Sequence, residues 1–560
     1  MNTINKIKYN AAGVLLCVFC MALSSCEKTL EKKSLSQFSN DNFWKSESDA
    51  FLALTAIYRG TIRQLQAANA DAEFSNSDWW SYHGFIYLDL ASDLMYDRRG
   101  DTDMNRIGNG NLISTNGYVN NYWSNAYLRI ARCNFFLENI DKVSGDAKNI
   151  NRMRAEARFI RAVMYFYLSQ YWQDVPLVTA ALTTEQANTI KKSPKKEIVD
   201  FAAAELNACA LELPRQNALS ATERGRASSQ AALAFLGRLL LAEKRYAEAA
   251  AAYKKIIDMG ENIIDPVYKS LFNGANEASK EIIFAVQFQE NLLTNGLLLQ
   301  SSIAVIGGYH LCNPLANLAE EYEFTDGSPF SYSSKKYNPA NIGANRDPRL
   351  FYSIFYNQEL VTESPIAGAK YISHPDSSRS LDQLTLTKQA TRSGYGLRKF
   401  MPPTLPVFLP NTGIDLIVIR YAEVLLSYLE AKLENGDAID QTLLDQTINA
   451  VRGRADVRMP KILFAGIPDL RAKVRHERKI EFAFEGFRLW DLLRWGIAAE
   501  VLNGDFYGAS FPKAKNLRRN NAKKADPFSR WYVTTKTFRK GIDDKWPIPQ
   551  REQDINPNLR

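Results

Sequence analysis

Apolar positions recur at helical spacing along most of the chain, and prolines and glycines cut the pattern into blocks. From Asn151 to Tyr171 one apolar face persists, and the following D-V-P-L-V brings in Pro176, which forbids continuation. Tyr122 to Asn139 has the same period, and Glu197 to Leu213 closes at Pro214. Asn42 to Leu65 predicts a first helix capped by Ser48 or Asp49, with Leu52, Ala56 and the stem of Arg59 on its apolar face. Arg226 to Met259 reads as a helix pair: Ala231 to Glu243, then Tyr246-x-x-Ala249-x-x-x-Tyr253. That spacing is the second half of a tetratricopeptide repeat, in which a small residue lets the partner helix approach. Arg420 to Ala455 repeats the arrangement, with a turn at Gly436-Asp437 and a second helix reaching Val451. Such pairs close a core only by stacking, so the pattern predicts an all-α, tetratricopeptide-like scaffold.

The period breaks in three places. Glu277 to Pro410 carries a short strand signal, Ile282 to Phe288, and then Gly, Pro, Ser and Asn in quantity. An irregular stretch of this length predicts a functional, loop-rich cap. Ala67 to Gly117 is rich in Asp, Asn, Gly and aromatics, and the tail from Gly504 is again irregular. Asp101, Asp103 and Asn105 imitate the first ligands of a calcium loop. An EF-hand is nevertheless excluded, because Arg106 stands where the turn needs Gly and Leu112 where the bidentate Glu belongs.

The densest pattern is Arg475 to Gly496, R-H-E-R-K-I-E-F-A-F-E-G-F-R-L-W-D-L-L-R-W-G. Ile480, Ala483, Phe484 and Phe487 form one face, and Glu477, Glu481 and Glu485 a second, with Lys473 and Arg478 at pairing distance along the helix. Asp491 lies three residues from both Arg488 and Arg494 and is expected to brace both in a structural seam. This stretch resembles the C-terminal signature of the SusD/RagB family of outer-membrane nutrient-binding lipoproteins. Further landmarks follow the family's order: F-W-x-x-x-x-D-A-x-x-A-x-x-A-x-Y from Phe43, D-V-P-L-V from Asp174, R-D-P-R-L from Arg346, and K-W-P-I-P-Q-R-E-Q-D-I-N-P-N-L from Lys545. The resemblance covers nearly the whole chain after residue 40. It implies a helical repeat scaffold with a variable binding face, and a surface lipoprotein that serves a TonB-dependent transporter in glycan uptake.

The N-terminus changes the picture of location. Lys6 and Lys8 precede an apolar run from Ala11 to Leu23, a secretory signal too short to span a bilayer comfortably. Leu23-Ser24-Ser25-Cys26 resembles a bacterial lipobox, which implies cleavage before Cys26 and its lipidation. The expected layout is a signal peptide over 1–25, a tether over 26–40, an N-terminal helical scaffold over 41–275 and a loop-rich binding region over 276–410. A C-terminal helical repeat over 411–500 and an irregular segment over 501–560 complete it. Cys133, Cys209 and Cys312 then remain, an odd number without a C-x-x-C, and are expected as buried free thiols. Net charge is +8 over 560 residues, with Arg518, Arg519, Lys523 and Lys524 as the best basic cluster. That is too thin for nucleic acid, so no nucleic-acid partner is expected.

Catalytic signatures are missing. His476-Glu477 lacks the second His of H-E-x-x-H, and neither a G-x-S-x-G elbow nor a P-loop occurs. No enzyme, cofactor or metal site is expected, although two carboxylates facing across a cleft would suffice for a surface glycosidase. Asp89 and Asp93 share one helical turn and cannot flank a sugar from both sides. A glycan offers CH faces and hydroxyls, so its site needs flat aromatics beside amides and carboxylates. Trp79, Trp80 and Tyr82, with Asn76 and Asp78, meet that description, as do Tyr309 and Asn313 in a second loop. The leading expectation is therefore an oligosaccharide-binding protein. A peptide-binding member of the same family is the alternative, and a glycosidase the more distant one.

Overall fold

The computed structural model describes residues 43–60, 78–378, 380–384 and 389–560. The signal-like run, Cys26 and Asn76 lie outside these residues. Among the described residues nine longer helices carry the fold: α1 (Glu47–Arg59), α2 (Gly117–Asn139), α3 (Ala147–Tyr171), α4 (Lys195–Glu212), α5 (Ser229–Ala242), α6 (Tyr246–Met259), α7 (Tyr421–Asn435), α8 (Ile467–Glu481) and α9 (Arg488–Trp495). From α2 to α8 each helix packs on the next, so their apolar stripes close on one another in one continuous core. The α5–α6 contact shows the mechanism. A Cβ on Gly237 would lie 2.6 Å from Cζ of Tyr253, so the glycine makes the socket into which the repeat's second tyrosine docks.

Two local expectations are corrected. Ser46, not Ser48 or Asp49, caps α1, accepting from the Asp49 amide while the Asp49 carboxylate reaches back. The helix is thereby rotated: Ala50, Leu54 and Ile57 face the core, whereas Leu52 is 62% exposed. The helix after Gly436 is broken at Thr447 into Gln441–Gln446 and Ile448–Arg452.

Strands among the described residues form short antiparallel pairs: β1 (Met95–Asp97) with β3 (Cys312–Pro314), β2 (Ile282–Val286) with β6 (Leu416–Arg420), β4 (Ile354–Phe355) with β5 (Gly396–Leu397), and β7 (Gly504–Ser510) with β8 (Arg530–Lys536). The last pair is a hairpin inside the tail expected to be irregular, held by the buried run Trp531-Tyr532-Val533. Between β2 and β6 the chain is mostly turns and forms a cap on the helical stack. Cys133, Cys209 and Cys312 are buried and free. No described helix is long and apolar enough to cross a membrane.

The Arg475–Gly496 stretch ends α8, turns through Phe484 and Gly486, both at positive φ, and starts α9. Most of its charges pair across the molecule. Glu477 meets Arg349 at 2.6 Å and Arg452 at 2.7 Å. Glu481 meets Arg349, Arg420 and Arg454 at 2.6–2.8 Å. Glu485 meets Lys399 at 2.6 Å and Arg420 at 2.8 Å. Asp491 braces Arg494, as expected, but its second partner is Arg478 at 3.0 Å. Arg488 turns instead to Asp93 at 2.7 Å. Burial opposes the charge on Glu481, and the surrounding guanidiniums outweigh it, holding its carboxyl well below the usual range. This seam pins α8 and the turn after it to the cap through Arg349 and Lys399.

Candidate functional site

The segment 320–346 is built from turns. Asp326 accepts from the Ser328 amide, and Gly327 takes a positive φ. The turn lifts Phe330, Tyr332 and Tyr337 off the scaffold as a cluster of perpendicular rings. Beneath them Arg346 lies 3.9 Å from the Phe330 ring and donates to the carbonyls of Ala319 and Tyr322. Burial pushes its guanidinium down to about 10. The β7–β8 hairpin stands opposite, and Phe528 stacks on Tyr332 with centroids 4.8 Å apart. Phe528 remains 45% exposed.

Between these walls opens a groove of about 710 Å³, continuing into a side cavity of about 200 Å³ past Tyr337, Tyr356 and Asn357. Asp469, Lys473 and His476 of α8 close one side, and Asp505, Tyr507 and Arg530 the other. Glu320 accepts from the Tyr332 hydroxyl at 2.7 Å and pairs with Arg530 at 3.1 Å, while Asp526 steadies Arg530 at 2.8 Å. Burial raises the Glu320 carboxyl, with Arg530 and Tyr332 acting against it. The groove thus combines flat aromatic faces with fixed donors and acceptors, the chemistry a polyhydroxylated ring requires.

The residues singled out in the sequence lie elsewhere. Trp79 is 0% exposed, sandwiched with Tyr167 at 4.3 Å and Trp546 at 6.1 Å, and its Nε1 donates to the Tyr122 carbonyl. Trp80 is buried against Phe284, with the Arg129 guanidinium 4.8 Å over its ring. Tyr82 is buried on His83, and Asp78 forms a buried ion pair with Arg129. These groups are therefore core, because α2, α3 and the C-terminal segment supply enough aromatic surface to enclose them. Asn313 is also buried, in β3, donating to the His310 carbonyl and accepting from the Arg392 amide. Tyr309 is half-buried, its carbonyl accepting from Nε of Arg98. The structure joins the Tyr309 loop to β1, not to Trp79.

The groove residues were missed in sequence although one signal was present. Phe330-x-Tyr332 and Tyr337 are aromatics in an irregular, Gly/Pro/Ser-rich stretch, as Trp79 is an aromatic in an irregular stretch rich in Asp and Asn. Nothing local announces that Phe528 would face them. The calcium-like residues Asp101 and Asp103 bind Arg106. Among the described residues, no group of three His, Cys, Asp or Glu side chains could hold a metal. Asp89 is buried and accepts from the amides of Gly486 and Arg488.

Comparisons with known proteins place this architecture. Residues 280–560 match the SusD family, and residues 61–241 match the family described as starch-binding, associating with outer membrane. A SusD-like carbohydrate binding protein from Bacteroides fragilis superposes with a TM-score of 0.88 at 44% identity, over 92% of this chain and 100% of that one. SusD-like protein P25 of Formosa agariphila is 24% identical over 99% of this chain and 98% of its own length. Surface glycan-binding protein A from Bacteroides thetaiotaomicron, solved with laminarihexaose, shares the fold at 19% identity and a TM-score of 0.65, over 92% of this chain and 99% of that one. From its signature helices to its stacked scaffold, the chain belongs to the SusD family.

Proposed function

We propose that this chain is a cell-surface oligosaccharide-binding protein, held to the outer membrane by a lipid on Cys26, that hands its ligand to a TonB-dependent transporter. The observation that carries the binding step is the open groove with the Tyr332–Phe528 stack beside the Glu320–Arg530 pair. Sugar CH faces stack on the two rings, and ring hydroxyls exchange hydrogen bonds with Glu320, Arg530, Asp505 and His476. The relative solved with laminarihexaose supports a glycan as the ligand class. Binding needs no chemistry on the sugar, and Glu320 is already engaged by Tyr332 and Arg530.

Calorimetry with a panel of oligosaccharides, laminarihexaose included, and a matched panel of peptides tests this. Phe528→Ala is expected to weaken glycan binding by about tenfold, on the scale of one lost aromatic stacking contact, at unchanged melting temperature. Binding of peptides alone, or unchanged glycan affinity in the variant, removes the groove as a glycan site. Product analysis after prolonged incubation is expected to recover the oligosaccharide intact.

A further inference from the structure

We propose that the glycan carries oxyanion substituents, carboxylate or sulfate ester, and that Arg98, Arg392 and Arg518 beside Tyr96 read them at one end of the groove. This deepens the glycan-binding proposal above and rests on it. The first observation is what these arginines touch. Arg98 spends its Nε on the Tyr309 carbonyl at 2.9 Å, and Arg392 its Nε on the Arg98 carbonyl at 3.1 Å. Arg518 lies 5.3 Å over the Tyr532 ring. None of the three forms an ion pair among the described residues, so the paired N–H forks at their tips remain available.

The second observation is that they crowd one another. Arg98 and Arg392 are each only half-exposed. Burial lowers the proton affinity of Arg98; Asp97 opposes that, and Arg392 and Arg99 add to it. Asp97 does not neutralise the cluster, because Arg99 grips it at 2.6 Å. Both Arg518 and Arg392 also act on the Tyr96 hydroxyl. Neighbouring like charges, two of them half-buried, are unfavourable until an anion sits among them. A guanidinium fork matches the two oxygens of a carboxylate or sulfate.

The third observation is continuity. Arg530 lies 4.7 Å over Tyr507 in the groove, Tyr507 is 6.1 Å from Tyr532, and Tyr532 carries Arg518. The face of the β7–β8 hairpin therefore runs from the aromatic stack to Arg518. One extended chain of sugars can occupy both. The groove supplies stacking, and the cluster supplies charge selection.

The test uses the full chain in detergent, titrated with matched uronate-bearing, sulfated and uncharged oligosaccharides at low and high salt. Charged ligands are expected to bind about tenfold or more tighter than uncharged ones at low salt, because charge-assisted hydrogen bonds are the strong ones. That advantage should shrink at high salt. Whether the uronate or the sulfated arm binds identifies the oxyanion. Arg392→Gln and Arg518→Gln should remove the advantage while leaving the affinity for uncharged glycans unchanged. Arg518 is exposed, so its variant tests the idea even if Arg392→Gln disturbs the loop. Uncharged glycans binding as tightly as charged ones overturns this inference and leaves the groove proposal standing. So does a charge preference that survives both substitutions. Binding to no member of the panel overturns both.

Discussion

The arginines of the seam and those at the end of the groove are the same residue put to opposite uses. Arg349, Arg420 and Arg454 are buried, and each meets at least two carboxylates. Arg98, Arg392 and Arg518 meet backbone carbonyls and a ring, and no carboxylate among the described residues. A buried guanidinium left without a partner would be costly, so the interior set must be complete. The surface set is tolerable when incomplete because water reaches it, and incompleteness leaves donors for a ligand. Charge in this molecule is structural where it is satisfied and available where it is not.

The largest effect is expected from breaking the satisfied set. Glu481→Ala strips a carboxylate from Arg349, Arg420 and Arg454 together. Removing one member of a buried pair costs about 3–5 kcal/mol, and a shared carboxylate should reach at least the upper part of that range. Denaturant unfolding measures it. A loss below about 1 kcal/mol would mean that the remaining carboxylates compensate, and the contrast between the two sets of arginines would collapse.

Trp79→Ala comes next and sharpens the same contrast for aromatic residues. Trp79 is enclosed by Tyr167, Tyr171 and Trp546, so truncation should cost about 3–5 kcal/mol. Glycan affinity per folded molecule should not change. A variant with normal stability and weakened glycan binding would return Trp79 to the site and displace Phe528.

The outcome for Trp79 shows where sequence stops being informative. Helices α3 to α7 were legible because their apolar period is regular, and Pro176, Pro214, Gly260 and Gly436 follow four of the five. The stretch around Trp79 has no period, which marks it as a loop but says nothing about which side is covered. What covers it is Trp546, far along the chain. The charged stripe behaved alike. Spacing allowed Asp491 to reach both Arg488 and Arg494, yet Arg488 prefers Asp93, 395 residues away. Local spacing gives the reach of a side chain, while the choice of partner belongs to the tertiary fold. The groove shares that limit, since Tyr332 and Phe528 meet only when the β7–β8 hairpin returns over the cap.

The smallest expected effect concerns a buried carboxylate that lacks the seam's partners. Asp415 is 5% exposed, accepts from the Phe288 amide at 2.8 Å and lies beside Glu277. Burial and then Glu277 raise its carboxyl from 3.8 to about 7, opposite to the lowering at Glu481. A group raised in the folded state binds its proton more tightly there. Its contribution to stability is therefore present below the unfolded value and is lost as pH rises through about 7. At about 1.36 kcal/mol per unit the shift sets a ceiling of about 4 kcal/mol for that loss. Asp415→Asn keeps an oxygen for the Phe288 amide and offers an N–H to Glu277, and it no longer titrates. The parent chain should lose stability between pH 4 and 8, and the variant should lose less. Part of the slope should persist, because burial also raises Asp89 to about 7 and Glu359 to about 8. Melting curves across that window decide it. Parallel curves for parent and variant would show that Asp415 is ionised at no cost in the fold, and that a buried carboxylate here does not need an arginine.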